Sequence, residues 1–232
     1  YRAELKPRFA LLEQSILSAV YTAEQTIPEL LSTLLRQQLG AGAFEFRLRQ
    51  AYRSRSLVCQ YQESYRNFIA RWLEKEGIYY YFDHDGDCDR MILIDDRSLQ
   101  PQSPEPPKAL QYRPADSLET GAAVDALQQF VGKQRRLPRR VVLRDHNHRQ
   151  AAVPLEVEAA VDEQGFGERL HDDENFRNEH EGRRYAQLRA EAIVCRGREF
   201  SGVTTAVGVR SGATVRVFGH YRDDFNGDYL VT

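Results

Sequence analysis

Cysteine is scarce in this chain. Cys59, Cys88 and Cys195 are the three present, widely spaced and without a C-x-x-C pair, which argues against a disulfide framework and for reduced structural thiols of a cytoplasmic product. Cys59 lies in the apolar run Leu57-Val58-Cys59-Gln60-Tyr61, where a small buried hydrophobe is expected. Lysine is also scarce. Lys6, Lys75, Lys108 and Lys133 are four of the 32 basic residues, and arginine supplies the other 28. Genomic base composition accounts for such a bias, as does a physical alternative, the suitability of a planar guanidinium for desolvated carboxylate pairing and aromatic stacking at subunit contacts. No apolar run approaches the ~18 residues of a membrane helix, and Tyr1-Arg2-Ala3-Glu4 opens no signal peptide. An excess of one charge is missing too. A net charge of -2 offers no bulk attraction for nucleic acid or an acidic membrane. G-x-S-x-G, P-loop, dinucleotide-binding and H-E-x-x-H patterns are all absent.

What is present describes a globular chain. With 232 residues, 41% apolar and 28% charged, it can build one large or two small domains with real cores. Ser64 is placed to cap a helix in which Tyr65, Phe68, Ile69, Trp72 and Leu73 fall on one face. Gly77 supplies a left-handed stop, and Ile78 to Phe82 reads as a strand. Upstream, Thr26 and Glu29 have capping-box spacing, and Ile27, Leu30, Leu31, Leu34 and Leu35 form an apolar stripe that Gly40 ends. Phe44 to Arg49 alternates as a half-buried strand with its charges outward. Tyr1 to Val20 reads as strand-rich, Met91 to Ile94 as the second arm of a hairpin begun at Ile78, and Gln100 to Pro107 as a linker. Further strands are expected at Val124 to Val131, Arg140 to Arg144, Val203 to Val207, Thr214 to Phe218 and Tyr229 to Val231. A polar helix is expected over Glu181 to Cys195 with Tyr185, Leu188 and Ala192 on one face.

Gln60-Tyr61-Gln62-Glu63-Ser64-Tyr65-Arg66-Asn67-Phe68, continuing through Arg71-Trp72-Leu73-Glu74-Lys75-Glu76-Gly77-Ile78-Tyr79-Tyr80-Tyr81-Phe82, resembles the VgrG stretch Q-Y-x-E-S-x-x-x-F-x-x-R-L-L-E-E-E-G-I-Y-Y-Y-F. VgrG proteins are the spike proteins of bacterial type VI secretion, relatives of the hub of contractile phage tails. Asn226-Gly227-Asp228-Tyr229-Leu230-Val231-Thr232 is similar to the family's N-G-E-Y-L-V-T. Arg144-Asp145-His146-Asn147-His148-Arg149 is similar to its R-D-Y-N-Y-R, with histidines in place of tyrosines. Residues 162–167 and 181–191 fit by their order, so the resemblance covers most of the chain. It implies an α+β, mainly β fold of small barrel-like hub domains carrying two or three amphipathic helices. It also implies a homotrimer seated on a tail tube of the Hcp type, among baseplate proteins, with an effector or needle segment beyond the C-terminus. Tyr1 falls within a strand-like stretch and Thr232 in mid-strand, so the chain is expected to be a fragment of such a protein, without the needle.

Candidate chemistry is thin beside this. Asp83, Asp85, Asp87 and Asp89 invite a calcium loop, but the EF-hand glycine and glutamate positions hold Cys88 and Ile94; a solvated hairpin turn suits the Asp-Gly chemistry better. His146 and His148 could share a strand face, yet no third ligand lies nearby, and packing in place of tyrosines is the expectation. Glu74/Glu76 and Asp95/Asp96 are carboxylate pairs of the type a glycosidase would need, but Glu74 and Glu76 are expected on the solvated side of their helix. Arg135, Arg136, Arg139, Arg140 and Arg144 straddle a strand and so form no single patch.

The expectation is therefore a structural hub rather than an enzyme, with no cofactor, metal, nucleic-acid partner or membrane insertion. It would assemble in the cytoplasm and leave the cell without a signal peptide. A prophage or contractile-injection hub is the near alternative, and a cell-wall glycosidase the distant one. Residues 1–100 form one expected subdomain, 101–109 a linker and 110–232 a second. The motif and core positions are Tyr61, Glu63, Ser64, Phe68, Trp72, Leu73, Glu76, Gly77, Ile78, Tyr80, Phe82, Asn226, Gly227 and Tyr229.

Overall fold

Thr26 and Glu29 close a capping box at the start of helix α1 (Ile27–Leu39): the Thr26 hydroxyl accepts the Glu29 N–H at 3.4 Å, and the Glu29 carboxylate accepts the Thr26 N–H at 2.8 Å. These two bonds satisfy donors that the first helical turn leaves unpaired. Gly40 ends the helix at φ 95°. The computed structural model describes residues 3–84, 86, 88–100, 108–114, 126–146, 154–172 and 174–232. The Pro101–Pro107 stretch of the expected linker, Val124, Asp85, Asp87 and His148 lie outside these residues.

The chain divides into two units. The first comprises Tyr1–Lys108, Gly208–Val215 and Asp228–Thr232, the second Ala109–Val207 and Arg216–Gly227. In the first unit, β1 (Ile16–Tyr21) pairs antiparallel with β5 (Val58–Ser64), and the two-residue strands β2 (Gln25–Thr26) and β4 (Ser54–Arg55) pair beside them in sequence. A three-stranded sheet has the order β3-β7-β6, where β3 is Phe44–Arg47, β6 Tyr79–Asp83 and β7 Arg90–Ile94. β7 runs parallel to β3 and antiparallel to β6, so the expected hairpin forms and a distant strand joins it. Helix α2 (Tyr65–Glu76) connects β5 to β6. One core joins Leu31 and Leu35 of α1, Phe68, Ile69, Trp72 and Leu73 of α2, and Met91 and Leu93 of β7. A smaller cluster of Tyr81, Ile92 and Ile94 forms from the alternate residues of β6 and β7, as the period-2 pleat requires. Tyr1 to Val20 is not strand-rich. Arg8–Glu13 is a 3-10 turn that buries Phe9 and Leu12, whose spacing of three matches that helix's repeat.

In the second unit, β10 (Arg140–Asp145) lies between β11 (Leu155–Ala160), antiparallel, and β12 (Glu168–Asp172), parallel. Helix α3 (Glu179–Cys195) is capped by Asn178, whose side chain accepts the Glu181 N–H at 2.9 Å. Its buried face is Gly182, Tyr185, Ala186 and Ala190, packed with Val141, Leu143, Val157 and Phe176. The expected face through Leu188 and Ala192 is only half-buried. A side chain on Gly182 would stand 2.7 Å from the Phe176 ring, and this close approach selects glycine and turns the helix toward it. A further sheet of this unit has β9 (Ala126–Gln134) between β13 (Arg198–Thr204) and β8 (Lys108–Tyr112); β14 is Thr214–Phe218, and β15, Gly227–Leu230, falls mostly in the first unit. The strand expected at Val203 to Val207 sits earlier, at Arg198–Thr204: it pairs with β9 through a bulge at Val203/Thr204, and the Thr204 hydroxyl then donates to the Ala126 carbonyl at 2.8 Å. β15 ends at Leu230, before Val231 and Thr232. Among the described residues the fold is mainly β, with three α-helices.

Candidate functional site

The residues from Gln60 to Phe82 that carry the resemblance form one continuous element, β5 into α2 into β6. Ser64 caps α2 by accepting the Asn67 N–H at 3.2 Å. Glu63, one residue earlier, accepts from Arg71 at 2.7 and 3.0 Å, and the same guanidinium donates to the Cys59 carbonyl at 2.7 Å. Arg71 also lies over the Phe68 and Trp72 rings, 5.0 and 5.3 Å from their centroids. One arginine thus ties the last strand residues before the helix to its aromatic face. Gly77 takes φ 73°, and Ile78 N–H returns to the Leu73 carbonyl at 2.8 Å, which reverses the chain into β6. Tyr80 and Phe82 then pack edge to face, with centroids 5.7 Å apart, and Tyr80 meets Phe9 at 5.5 Å. Phe68, Trp72, Leu73 and Ile78 are buried.

Three positions differ from expectation. Glu76 is not on the solvated side of α2; it is buried against Arg55 at 3.4 Å, with both side chains 4% exposed. Arg55 also stands 4.9 Å from the Trp72 ring centroid, so the last turn of the helix closes over a guanidinium. Cys59 is exposed, and its neighbours Val58 and Gln60 are the buried ones. Gln60 satisfies its amide by accepting the Tyr21 hydroxyl at 3.0 Å and donating to the Glu63 carbonyl at 3.0 Å. Burial beside Gln60, and then the charge of Tyr65, raise the Tyr21 phenol above its ordinary value. Tyr61, grouped with the core positions, is 73% exposed.

Asn226, Gly227 and Tyr229 lie elsewhere, on the β14–β15 connection. The Asn226 amide oxygen accepts the His220 N–H at 2.9 Å, and its nitrogen donates to the His220 carbonyl at 3.1 Å. His220 is buried and its Nδ1 accepts the Arg222 N–H at 3.0 Å. Its ring stacks on Phe225 at 4.7 Å, and Phe225 in turn meets Phe130 and Phe200 edge-on. Gly227 is half-buried and opens β15; Tyr229 is half-buried within it. Asn226 is therefore a clamp on a turn.

Reasoning from residue types missed Arg55 and His220, and it did not foresee the burial of Gln60 or Asp95. Asp95 is buried and accepts from the N–H groups of Arg49 and Gln50 and from the Tyr52 hydroxyl, at 2.8 to 3.0 Å. Asp96 points the other way and caps the 3-10 turn at Arg97–Leu99 through Ser98, so the two adjacent carboxyls face no common ligand. In the Asp83–Asp89 loop, Asp83 accepts from Arg90 at 3.2 Å and Asp89 from the Arg8 N–H at 2.9 Å. Arg140 is held by Glu158 and Glu168, and Arg144 by Glu156. Among the described residues, no cluster of three or more His, Cys, Asp or Glu is arranged to hold a metal ion.

The geometry is that of packing and clamping. The phage tail baseplate hub (GPD) family matches residues 1–232. This chain belongs to that family. Among relatives of this hub protein is the type VI secretion system spike protein VgrG1a of Pseudomonas aeruginosa, 28% identical over 240 residues, which takes in 100% of this chain and 36% of VgrG1a. The hub chain therefore spans about a third of that relative's length. Among solved structures, the c3393 protein of E. coli, a component of the type VI secretion system described as similar to the T4 tail proteins gp27 and gp5, superposes with TM-score 0.63 at 22% identity over 97% of this chain and 47% of its own. The prophage MuSo2 43 kDa tail protein of Shewanella oneidensis superposes with TM-score 0.58 at 9% identity, over 91% and 61%. Both likenesses concern the fold. No helix among the described residues is long and apolar enough to cross a membrane.

Proposed function

We propose that this chain is the structural hub of a type VI secretion spike. It trimerises, docks on a tail-tube protein of the Hcp type among baseplate proteins, and thereby takes part in delivering effectors into target cells. It assembles in the cytoplasm, is exported with the spike rather than by a signal peptide, and does its work through surfaces rather than through a catalytic group. The observation that carries this reading is the single element from Glu63 to Phe82, in which Glu63, Ser64, Phe68, Trp72, Leu73, Gly77 and Ile78 of the motif cap, pack and turn a helix into a strand. Such an element builds a rigid platform; it positions no nucleophile or acid–base pair. The family match over the whole chain and the relationship to VgrG1a support the secretion setting. The likeness to a prophage tail protein favours one second reading, a hub of a phage-type injection tail. Co-purification with the tail-tube protein of the same organism tests the proposal. A tube protein from the secretion system should co-elute with the chain, whereas capture of a prophage tube alone would transfer it to the second reading. No tube protein retained at all, from either source, would refute docking.

A further inference from the structure

The ribbon formed by β1 and β5 has an unusual outer face. In β1 the residues Leu17, Ala19 and Tyr21 turn inward, and Ile16, Ser18 and Val20 turn outward. In β5, Val58 and Gln60 are buried, and the intervening Cys59 and Tyr61 are exposed; Leu57 continues their parity. Val20 lies directly opposite Cys59. The outer face is thus Ile16, Ser18, Val20, Leu57, Cys59 and Tyr61, six residues without a charge. Antiparallel ribbons with one face on a core ordinarily carry polar residues on the other. Here Ile16 is 70% exposed, Val20 62%, Leu57 60% and Tyr61 73%. At those exposures the face presents on the order of 600 Å² of accessible surface, at the upper limit of the patches that monomers leave uncovered. Each strand of this two-stranded sheet pairs along one edge only, and neither carries the lysine or proline that commonly protects such an edge.

We propose that a second copy of this chain covers this face. The inference rests on the hub reading above, and it names the surface through which the copies meet. Area is the first argument, since about 600 Å² approaches the roughly 800 Å² that one partner contributes to a standard interface. Charge is the second. Charged groups that flank it in sequence are already closed within the chain, Arg55 on Glu76, Glu63 on Arg71 and Glu13 on Arg66. The flank offers a charged partner nothing to select, and a like chain meets no repulsion there. The apolar surface then supplies the association, with the Ser18 and Tyr61 hydroxyls and the neighbouring exposed Gln62 at the bulge as uncharged polar groups.

Multi-angle light scattering on the whole chain, with Val20→Glu, Tyr61→Asp and the control Val203→Glu, tests the proposal. Val203 is exposed and lies outside the ribbon. Fluorescence of the single tryptophan and the urea midpoint verify that each variant is folded. The expected result is an oligomer for the native chain and the control, near three times 26.8 kDa on the hub reading, with both ribbon variants at the monomer mass while still folded. Ribbon variants that assemble as the native chain does overturn the proposal and leave the hub reading standing. A native chain that stays monomeric at its solubility limit also overturns it, and the tube co-purification then decides the hub reading separately.

Discussion

Glu76 and Arg55 offer a quantitative test of what holds α2 in place. Their atoms are 3.4 Å apart with both side chains 4% exposed, so removing either leaves a charge that water cannot reach. Breaking a buried pair in this way costs about 3–5 kcal/mol. Glu76→Leu and Arg55→Met should each be destabilised by that amount, the second also losing a guanidinium stacked over Trp72, a contact of about 2 kcal/mol when desolvated. The double variant should recover to within about 1 kcal/mol of the native chain, because replacing both ions by apolar groups removes the desolvation penalty with the attraction. The assay is equilibrium urea unfolding followed by tryptophan fluorescence. Trp72 is the only tryptophan and belongs to the first unit, so the signal reports the element that is perturbed. With a slope of about 2 kcal/mol per molar urea, each single variant should lower the midpoint by roughly 1.5–2.5 M, and the coupling energy should exceed about 2 kcal/mol. Single variants that unfold within about 0.5 M of the native midpoint, or a double variant as damaged as the sum, would show that the pair is solvated in solution and that packing alone holds the helix.

Trp72→Ala should cost about 3–5 kcal/mol through the cavity it leaves and impair folding and secretion together; loss of secretion at an unchanged melting temperature would make Trp72 an interface residue instead. Gly182→Ala should cost about 1–3 kcal/mol, because its methyl group meets the Phe176 ring at 2.7 Å, and thermal melting of the variant checks this. Acid sensitivity has a local source at α1. The Thr26 backbone N–H, and then its hydroxyl, hold the Glu29 carboxyl below its ordinary value. Its stabilising effect is thus complete above the unfolded carboxylate pKa and is lost as pH falls through the lower folded one. A Glu29→Gln chain should show a flatter acid limb in melting temperature against pH, and an identical limb would remove Glu29 from the account.

Much of the first unit is legible from local chemistry. Both α1 and α2 announce themselves by a capping side chain, an apolar stripe and a glycine, and each signal acts within a few residues. The Arg55–Glu76 pair is not legible, because its partners are separated by a whole helix and strand and nothing in either neighbourhood names the other. Gln60 misleads for a related reason. Leu57-Val58-Cys59-Gln60-Tyr61 is apolar at both parities, and one of the two partners that permit burial of the glutamine, the Tyr21 hydroxyl, is distant in sequence. The Arg8–Glu13 turn was readable as a spacing of three between Phe9 and Leu12, but aromatic and aliphatic residues suit strands as well. At the motif, the packing of Phe68, Trp72, Leu73 and Ile78 follows from periodicity. The exposure of Tyr61 depends on which face of β5 turns to the core, and that face carries Val58 and Gln60.

The pairing of β1 with β5 also has a consequence for synthesis. Residues 16–21 leave the ribosome well before their partners at 58–64, a delay of several seconds at about 5–20 residues per second. During that interval α1 can form on its own capping box, within microseconds, while Ile16–Tyr21 waits with neither edge paired. The nascent chain therefore passes through a stage in which a six-residue apolar strand is exposed to other nascent chains, and it ends when the polypeptide reaches Ser64. A rare-codon cluster between Tyr21 and Val58 would lengthen that stage and lower the yield of folded protein without changing a single residue.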